Sequence, residues 1–384
     1  MAPNCGINGI RDIPMINTVK DDCVHFRGDK PCRFKRFCEG CPHFEPFSGR
    51  TKVLILKCRA QGDVLRTTPL LTGIKRKYPK SFITWLTDEE SVDLLVNNLY
   101  VDRVLPCGLE TALHLTAQSF DVLISLDKEP GITSLATKVR AGQKFGFGMN
   151  EYGNLMIFNE AAAYALRLGV DDELKYRANR KTYQEIAAEA AEIDNRRDEY
   201  IYEPGEDAKV KAREFMKAHG IDTARPSVGL NTGAGSKFET KQWPKEHYIE
   251  LIQGLTSGIK ANVFLLGGKR ERELNTFLEK TSPRRIHNTG NDNTLPEFAG
   301  FISFMDVVVT SGTLGMHLAI AAKKKIVALF GPTCPQEIDL YGRGVKLFKS
   351  VPCSPCYKQT CPDTKCMKEI LPGRVLEEIR KLIV

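Results

Sequence analysis

The sequence predicts an α/β protein built from two doubly wound, mainly parallel sheets. Three observations carry that expectation: a length of 384 residues, short apolar runs alternating with helical periodicity, and a charged break punctuated by Pro204-Gly205 between two such series. At roughly 100–200 residues per domain the length calls for two cores.

Residues 1–50 carry five cysteines among Arg, Lys, Asp and Pro and show neither helical nor strand periodicity, so they read as an irregular leader that needs a cross-link. From Lys52 the texture changes. Val53 to Leu56 reads as a buried strand, Val64 to Tyr78 as one helix closed by Pro79, and Phe82 to Leu86 as the next strand. A helix at Glu89 to Val96 and strands at Val101 to Leu105 and Val122 to Leu126 continue the alternation. Between Lys181 and Glu206 the chain is helical and charged with few apolar residues, and a domain boundary is expected there, at about residue 190. Strands at Val228 to Asn231, Val263 to Leu266, Asp306 to Thr310 and Ile326 to Phe330 form the second series, and Gly373 to Ile383 an amphipathic closing helix after Pro372. The expected units are 1–50, 51–190, 191–371 and 372–384.

Composition narrows the class. Hydrophobic residues make up 42% and charged ones 27%, the balance of a folded globular chain. The net charge of +8 favours an anionic ligand or membrane surface without demanding nucleic acid. No apolar run approaches the roughly 18 residues that span a bilayer. The segment Met1-Ala2-Pro3-Asn4-Cys5-Gly6 lacks a basic patch followed by an apolar stretch, so a reducing, cytoplasmic setting is expected. There, clustered cysteines are more often metal ligands or free thiols than disulfides.

In parallel α/β sheets ligands gather at the C-terminal strand ends, where helix N-termini offer free N–H groups. After Asn231 come Thr232-Gly233-Ala234-Gly235-Ser236, whose glycines let backbone approach a phosphate, with Lys241 following as a point charge. After Leu266 come Gly267-Gly268 and Glu271, a carboxylate suited to ribose hydroxyls. After Thr310 come Ser311-Gly312-Thr313, opening a helix with His317, and after Phe330 come Gly331-Pro332-Thr333. Each loop alone also reads as a tight strand-to-helix turn. The Gly-x-Gly-x-x-Gly fingerprint of dinucleotide oxidoreductases is absent, since Phe238 stands three residues after Gly235. In the first half Gly62-Asp63 precedes a helix; Asp63 reads as an N-cap, as a base facing a cleft, or as both.

The run Lys57-Cys58-Arg59-Ala60-Gln61-Gly62-Asp63-Val64-Leu65-Arg66-Thr67-Thr68-Pro69-Leu70-Leu71, with Asn231 to Gly235 and Thr240-Lys241-Gln242-Trp243-Pro244, resembles glycosyltransferase family 9, the ADP-heptose:lipopolysaccharide heptosyltransferases. Met316-His317-Leu318-Ala319 followed by Val327 to Thr333 is similar to the same family's donor-side signature, and the resemblance covers residues 52–384. It implies a GT-B fold, with the acceptor on the first domain, an ADP-sugar on the second, and inversion at the anomeric carbon. It implies Asp63 as base, Lys241 on the donor diphosphate, Glu271 on the ribose, and the donor loop Gly312-Thr313-Leu314-Gly315-Met316-His317. The family usually has Asp-Thr where this chain has Gly312-Thr313, so a carboxylate expected near the donor sugar is missing. Charge on the leaving diphosphate would be met by backbone amides and Lys241, with no metal needed for catalysis. Lys241 also reads as a solvated lysine beside Trp243, and His317 as a hydrogen-bonded core histidine.

Cys23, Cys32, Cys38 and Cys41 are read as a tetrahedral site for structural zinc or iron, with His25 and His43 as spare ligands. That site is expected to dock residues 20–45 on the acceptor domain and border the acceptor mouth. Cys353, Cys356, Cys361 and Cys366 read as a second metal set or as free thiols or disulfides. The expected activity moves a heptose or related sugar from an ADP-sugar onto a hydroxyl of a glycan, lipid-linked glycan or protein, in lipopolysaccharide or another bacterial surface glycan. A peripheral inner-membrane contact goes with it, and no nucleic-acid partner. The competing readings are an epimerase-like nucleotide-sugar enzyme on the same fold and a metal-dependent nucleic-acid or regulatory module, the latter resting on Arg33, Lys35 and Arg36 beside the cysteines.

Overall fold

A computed structural model of the chain describes residues 19–26, 32–235, 237–282 and 285–383. Two six-stranded sheets dominate. The first contains β1 (Thr51–Leu56), β2 (Ser81–Thr87), β3 (Arg103–Pro106), β4 (Ser119–Ser125), β5 (Arg140–Met149) and β6 (Leu155–Ile157), in the spatial order β3-β2-β1-β4-β5-β6. It is parallel through β5, and β6 returns antiparallel at the edge. The second contains β7 (Ser227–Asn231), β8 (Asn262–Leu266), β9 (Ile286–Asn288), β10 (Val307–Ser311), β11 (Lys325–Phe330) and β12 (Gly344–Phe348), all parallel, in the order β12-β11-β10-β7-β8-β9. In both sheets the first strand of the series lies centrally and the order reverses beside it, which opens a crevice at the C-terminal ends.

Helices α1 (Gln61–Thr67), α2 (Pro69–Lys77), α3 (Leu109–Ala117) and α4 (Pro130–Lys138) connect the first sheet, and α5 (Ala163–Arg167) and α6 (Tyr183–Ala190) follow it. The second series uses α7 (Glu206–Ala218), α8 (Lys245–Gln253), α9 (Arg272–Thr281), α10 (Leu295–Ser303), α11 (Leu314–Ala321), α12 (Lys365–Lys368) and α13 (Pro372–Ile383). One apolar cluster runs without a break from Val53, Leu71 and Trp85 to Met316, Leu318 and Phe330, so the two halves share a core near α1 and α11. Among the described residues no helix is long and apolar enough to cross a membrane.

Three expectations needed correction. The single helix over Val64 to Tyr78 is two helices, because Pro69 has no N–H to continue the ladder and Leu65 O is taken instead by the N–H and hydroxyl of Thr68. The helix at Glu89 to Val96 is a short 3-10 turn over Glu89–Leu94. The leader does dock on the first domain, through Phe47 set edge-on to Phe82 with centroids 4.9 Å apart. Phe82 is the second residue of β2, however, and Asp88 lies six residues on, about 20 Å along the strand. The leader therefore sits at the N-terminal edge of the sheet, away from the ligand-binding end, and does not border the acceptor mouth.

Candidate active site

Asp63 is the third residue of α1, whose cap position is Ala60, so it is not the N-cap its sequence context allows. Its backbone N–H donates to Ala60 O at 2.7 Å. With the capping role gone, its carboxylate is free to face outward and stays 40% exposed. Arg66, one turn along, brings Nε to 3.0 Å from Asp63 Oδ1 and reaches Glu337 at 3.7 Å, while its guanidinium lies 3.8 Å over the Tyr183 ring. Burial opposes the charged carboxylate, but Arg66 and then Lys57 outweigh it and hold Asp63 below the usual carboxylate range. Lys57 is itself buried, pairing with Asp127 and donating to Arg59 O. Asp127 also accepts from the N–H groups of Cys58 and Arg59, so the turn from β1 into α1 is pinned from below.

The second domain meets this turn through α11. A Cβ on Gly62 would lie 2.8 Å from His317 Cδ2 and 3.3 Å from Nε2, so only glycine admits the contact as it stands. His317 is buried, shares a hydrogen bond through Nδ1 with the Tyr200 hydroxyl at 3.1 Å, and stacks on that ring. Burial first, and then Arg66, push its imidazole down to about 3, so it is neutral. Nδ1 is taken by Tyr200 and the Cδ2 edge lies against Gly62, which makes the ring part of the contact between the two halves.

Lys241 follows the loop after β7. Its Nζ donates to Gly312 O at 2.8 Å and sits 4.9 Å over the Phe238 ring. Burial lowers its pKa to about 8, opposed by the nearby charge of Asp63. The Asp63 charge thus reaches Lys241, 178 positions away by number, across the two halves. Position 312 here supplies a carbonyl to the lysine where the family pattern would place a carboxylate. A Cβ at 312 would meet only Phe330 Cε1 at 3.5 Å and Thr333 Oγ1 at 3.6 Å.

The remaining donor-side residues divide into those facing the crevice and those holding it. Glu271 accepts from Gly268 N–H at 2.8 Å, and a Cβ on Gly233 would lie 3.1 Å from its carboxyl carbon, which places the carboxylate between the two glycine loops. Gly235 takes φ +78°, a left-handed conformation that favours glycine. Thr232 is fully engaged: its hydroxyl donates to Asn275 and its N–H to Leu266 O, while its carbonyl accepts from Gln242. It joins β7 to β8 and α9. Asn231 donates to the hydroxyls of Thr310 and Thr313, and a Cβ on Gly315 would come within 2.6 Å of its amide nitrogen. Leu314 and Met316 turn their side chains into the shared core. What residues 312–315 offer a ligand is backbone at the start of α11, where the first N–H groups lack intrahelical partners. Ser236 lies outside the described residues.

The four C-terminal cysteines gather beside this crevice. The thiols of Cys356, Cys353 and Cys361 all act electrostatically on Cys366. Their loop is tied to the donor loops, since Cys356 and Tyr357 donate to Pro332 O and Thr240 donates to Lys358 O at 2.7 Å. In the leader, Cys23, Cys32, Cys38 and Cys41 line one pocket together with His25 and His43. Neither set has three ligand atoms mutually within 4.8 Å; among the described residues that is met by Cys58, Asp88 and Cys107.

Arg66, Lys57, Tyr183, Tyr200 and Asp127 were not singled out from sequence. For Arg66 a signal existed, because three-residue spacing from Asp63 on a helix puts opposite charges side by side.

Comparison with known proteins agrees with this fold. The profile of glycosyltransferase family 9 (heptosyltransferase) matches residues 110–367. Lipooligosaccharide heptosyltransferase 2 of Campylobacter jejuni is 33% identical over 169 residues, covering 42% of this chain and 53% of that protein. The chain thus spans about half the length of the first curated relatives it matches. Among solved structures, a family 9 glycosyl transferase from Veillonella parvula aligns with TM-score 0.70 at 19% identity, over 87% of this chain and 97% of that one. The ADP-heptose lps heptosyltransferase II of E. coli aligns with TM-score 0.64 at 19% identity, over 87% and 98%. The fold is GT-B, and with more than half of its length matched the chain belongs to glycosyltransferase family 9, the heptosyltransferase family.

Proposed function

We propose that the protein transfers a heptose, or a closely related sugar, from an ADP-sugar to a hydroxyl of a bacterial surface glycan such as lipopolysaccharide, with inversion. The observation that carries this is the contact of Gly62, the neighbour of Asp63 on the first domain, with His317 of α11 on the second, whose N-terminal loop also takes Lys241 on Gly312 O. The nucleoside diphosphate rests on the loops after β7, β8 and β10. Glu271 takes the ribose hydroxyls, and Lys241 and the start of α11 take the phosphates. The acceptor oxygen attacks the anomeric carbon from the opposite side and its proton passes to the Asp63 carboxylate. The bond to the diphosphate breaks, and the charge that develops on it falls on Lys241 and on backbone N–H groups. Those groups supply the stabilisation for which other transferases use a metal, so no catalytic metal is required. Arg66, Lys57 and His317 position these groups. A cytoplasmic location with contact at the inner membrane fits a lipid-linked acceptor and the net charge of +8.

Both cysteine clusters are read as structural, the leader set holding one zinc or iron ion and the C-terminal set bracing the donor loops. Thiolates at four corners suit either metal and leave no open position for chemistry.

The deciding experiment supplies ADP-heptose with a heptose-accepting glycan. Wild type should transfer the sugar and release ADP, and Asp63→Asn should lose at least about 100-fold in turnover with ADP affinity unchanged. Near-wild-type turnover in that variant removes Asp63 as base, and an altered sugar released without any acceptor would point to an epimerase.

A further inference from the structure

A row of three potential ligands lies one step beyond the ends of the first sheet. In the ladder Leu56 faces Leu86, and Leu86 faces Leu105. Two residues further on each strand stand Cys58, Asp88 and Cys107. Side chains two apart on a strand share a face, so all three project to the same side. The ladder persists to this level, with Lys57 N–H on Leu86 O and Cys107 N–H on Thr87 O at 2.7 Å. The two sulfurs and an Asp88 oxygen lie within 4.8 Å of one another.

We propose that Cys58, Asp88 and Cys107 bind a soft divalent cation of the Zn2+ class, with its fourth position open to solvent. Two thiolates and a carboxylate are a donor set that zinc takes in preference to magnesium or calcium. Zn–S bonds near 2.3 Å place tetrahedral sulfurs about 3.7 Å apart, inside the 4.8 Å within which these ligand atoms lie. A disulfide fits less well. Cys58 and Cys107 stand on strands separated by β2, about 9.5 Å at strand spacing, whereas a disulfide needs Cα atoms roughly 4.4–6.8 Å apart. Outer-shell support is in place: Arg59 Nε holds Asp88 Oδ2 at 2.9 Å and leaves the other oxygen for the ion. Cys58 is buried and held from behind by Asp127 on its N–H, while Cys107 is exposed, so the site opens outward. An ion there ties the turn that launches α1, with Gly62 and Asp63, to the ends of β2 and β3.

The test follows alkylation of Cys107 by iodoacetamide in the reduced, chelator-stripped full chain, read on the peptide carrying Cys107 so that the other cysteines do not contribute. Zn2+ alone should slow this alkylation at least tenfold in wild type. Asp88→Asn, a partly exposed substitution, should raise the Zn2+ concentration for half-protection tenfold or more, and Cys58→Ser should do the same. Absence of protection in wild type overturns the site, as does protection that is equal in Asp88→Asn. A Cys58–Cys107 disulfide in the protein before reduction overturns it too. The readout involves no sugar transfer, so its outcome is independent of the donor and acceptor assignments.

Discussion

Gly62 of α1 and His317 of α11 touch where the two domains meet, so closely that a single added carbon on Gly62 would stand 2.8 Å from the imidazole. The contact fixes the distance between the helix carrying Asp63 and the helix opening the donor loop. Tyr200, on the segment joining the domains, holds the ring by its Nδ1 and is itself held by Gln184 at 2.9 Å. The ring thus has little freedom to swing away from a larger residue.

Gly62→Ala tests this directly. In a helix, alanine is ordinarily favoured over glycine by up to about 1 kcal/mol, so an uncrowded position would gain stability. Crowding against a fixed ring should reverse the sign and cost about 1–3 kcal/mol, with a clear loss of transfer as the domains are pushed apart. Urea denaturation of Gly62→Ala, His317→Ala and the double variant measures it. The double variant should be less destabilised than the sum of the two; strict additivity would mean that the two residues do not press on one another.

Lys241 should make donor binding depend on pH. Its pKa is lowered by burial to about 8, and a diphosphate in contact would raise it again. Binding therefore takes up protons near pH 8 and is strongest below it. Affinity for ADP should fall as pH rises from 8 toward 9.5, by as much as about tenfold per unit. Calorimetry in two buffers of different ionisation enthalpy reads the proton uptake. Lys241→Met should lose both the uptake and about 1.5–3 kcal/mol of affinity, and an ADP affinity that is flat across this range in wild type contradicts the assignment.

Arg66 should set the acid limb of the rate. With its guanidinium beside Asp63, the carboxylate stays ionised to below the ordinary range and the base is ready well into mild acid. Replacing Arg66 by Gln removes that cation, so Asp63 becomes protonated at higher pH and the acid limb of kcat/KM should move upward. A limb that does not move would show that another group controls it.

The sheets are legible in the sequence where strands are fully buried. Val53 to Leu56 and Val263 to Leu266 are unbroken apolar runs, and both stand inside a sheet with a parallel neighbour on each side. β5 is not legible there, because its Arg140–Met149 run is interrupted by three glycines, nor is β9, which has only three residues. Asp63, Lys241 and Glu271 were legible because each follows a strand end in a spacing that chemistry restricts. Tyr200 and Asp127 were not, because their roles come from tertiary contact with His317 and Lys57, residues more than 60 positions away, and no local pattern encodes such a meeting.

The leader poses a separate energetic problem. Its described part has only two isolated bridges, Cys23 with Pro46 and Phe26 with Cys32, and Cys23 is its one buried hydrophobic residue. Ordering backbone costs roughly 1–2 kcal/mol per residue, which so little buried surface does not offset. A four-thiolate site contributes on the order of 10 kcal/mol. Two local features suit it: Cys41 N–H closes a turn on Cys38 O, bringing that pair together, and Phe34 N–H points at Cys32 Sγ at 3.3 Å, a bond that favours thiolate. Elemental analysis should therefore find one zinc or iron fewer in Cys38→Ser/Cys41→Ser than in wild type, and proteolysis should open the leader of the variant first. Because the leader docks at the Phe82 end of β2, far from Asp63, kcat and KM should change little while thermal stability drops. A metal content that is unchanged by the double substitution removes the ion from the leader, and a large change in acceptor KM would return the leader to the acceptor mouth.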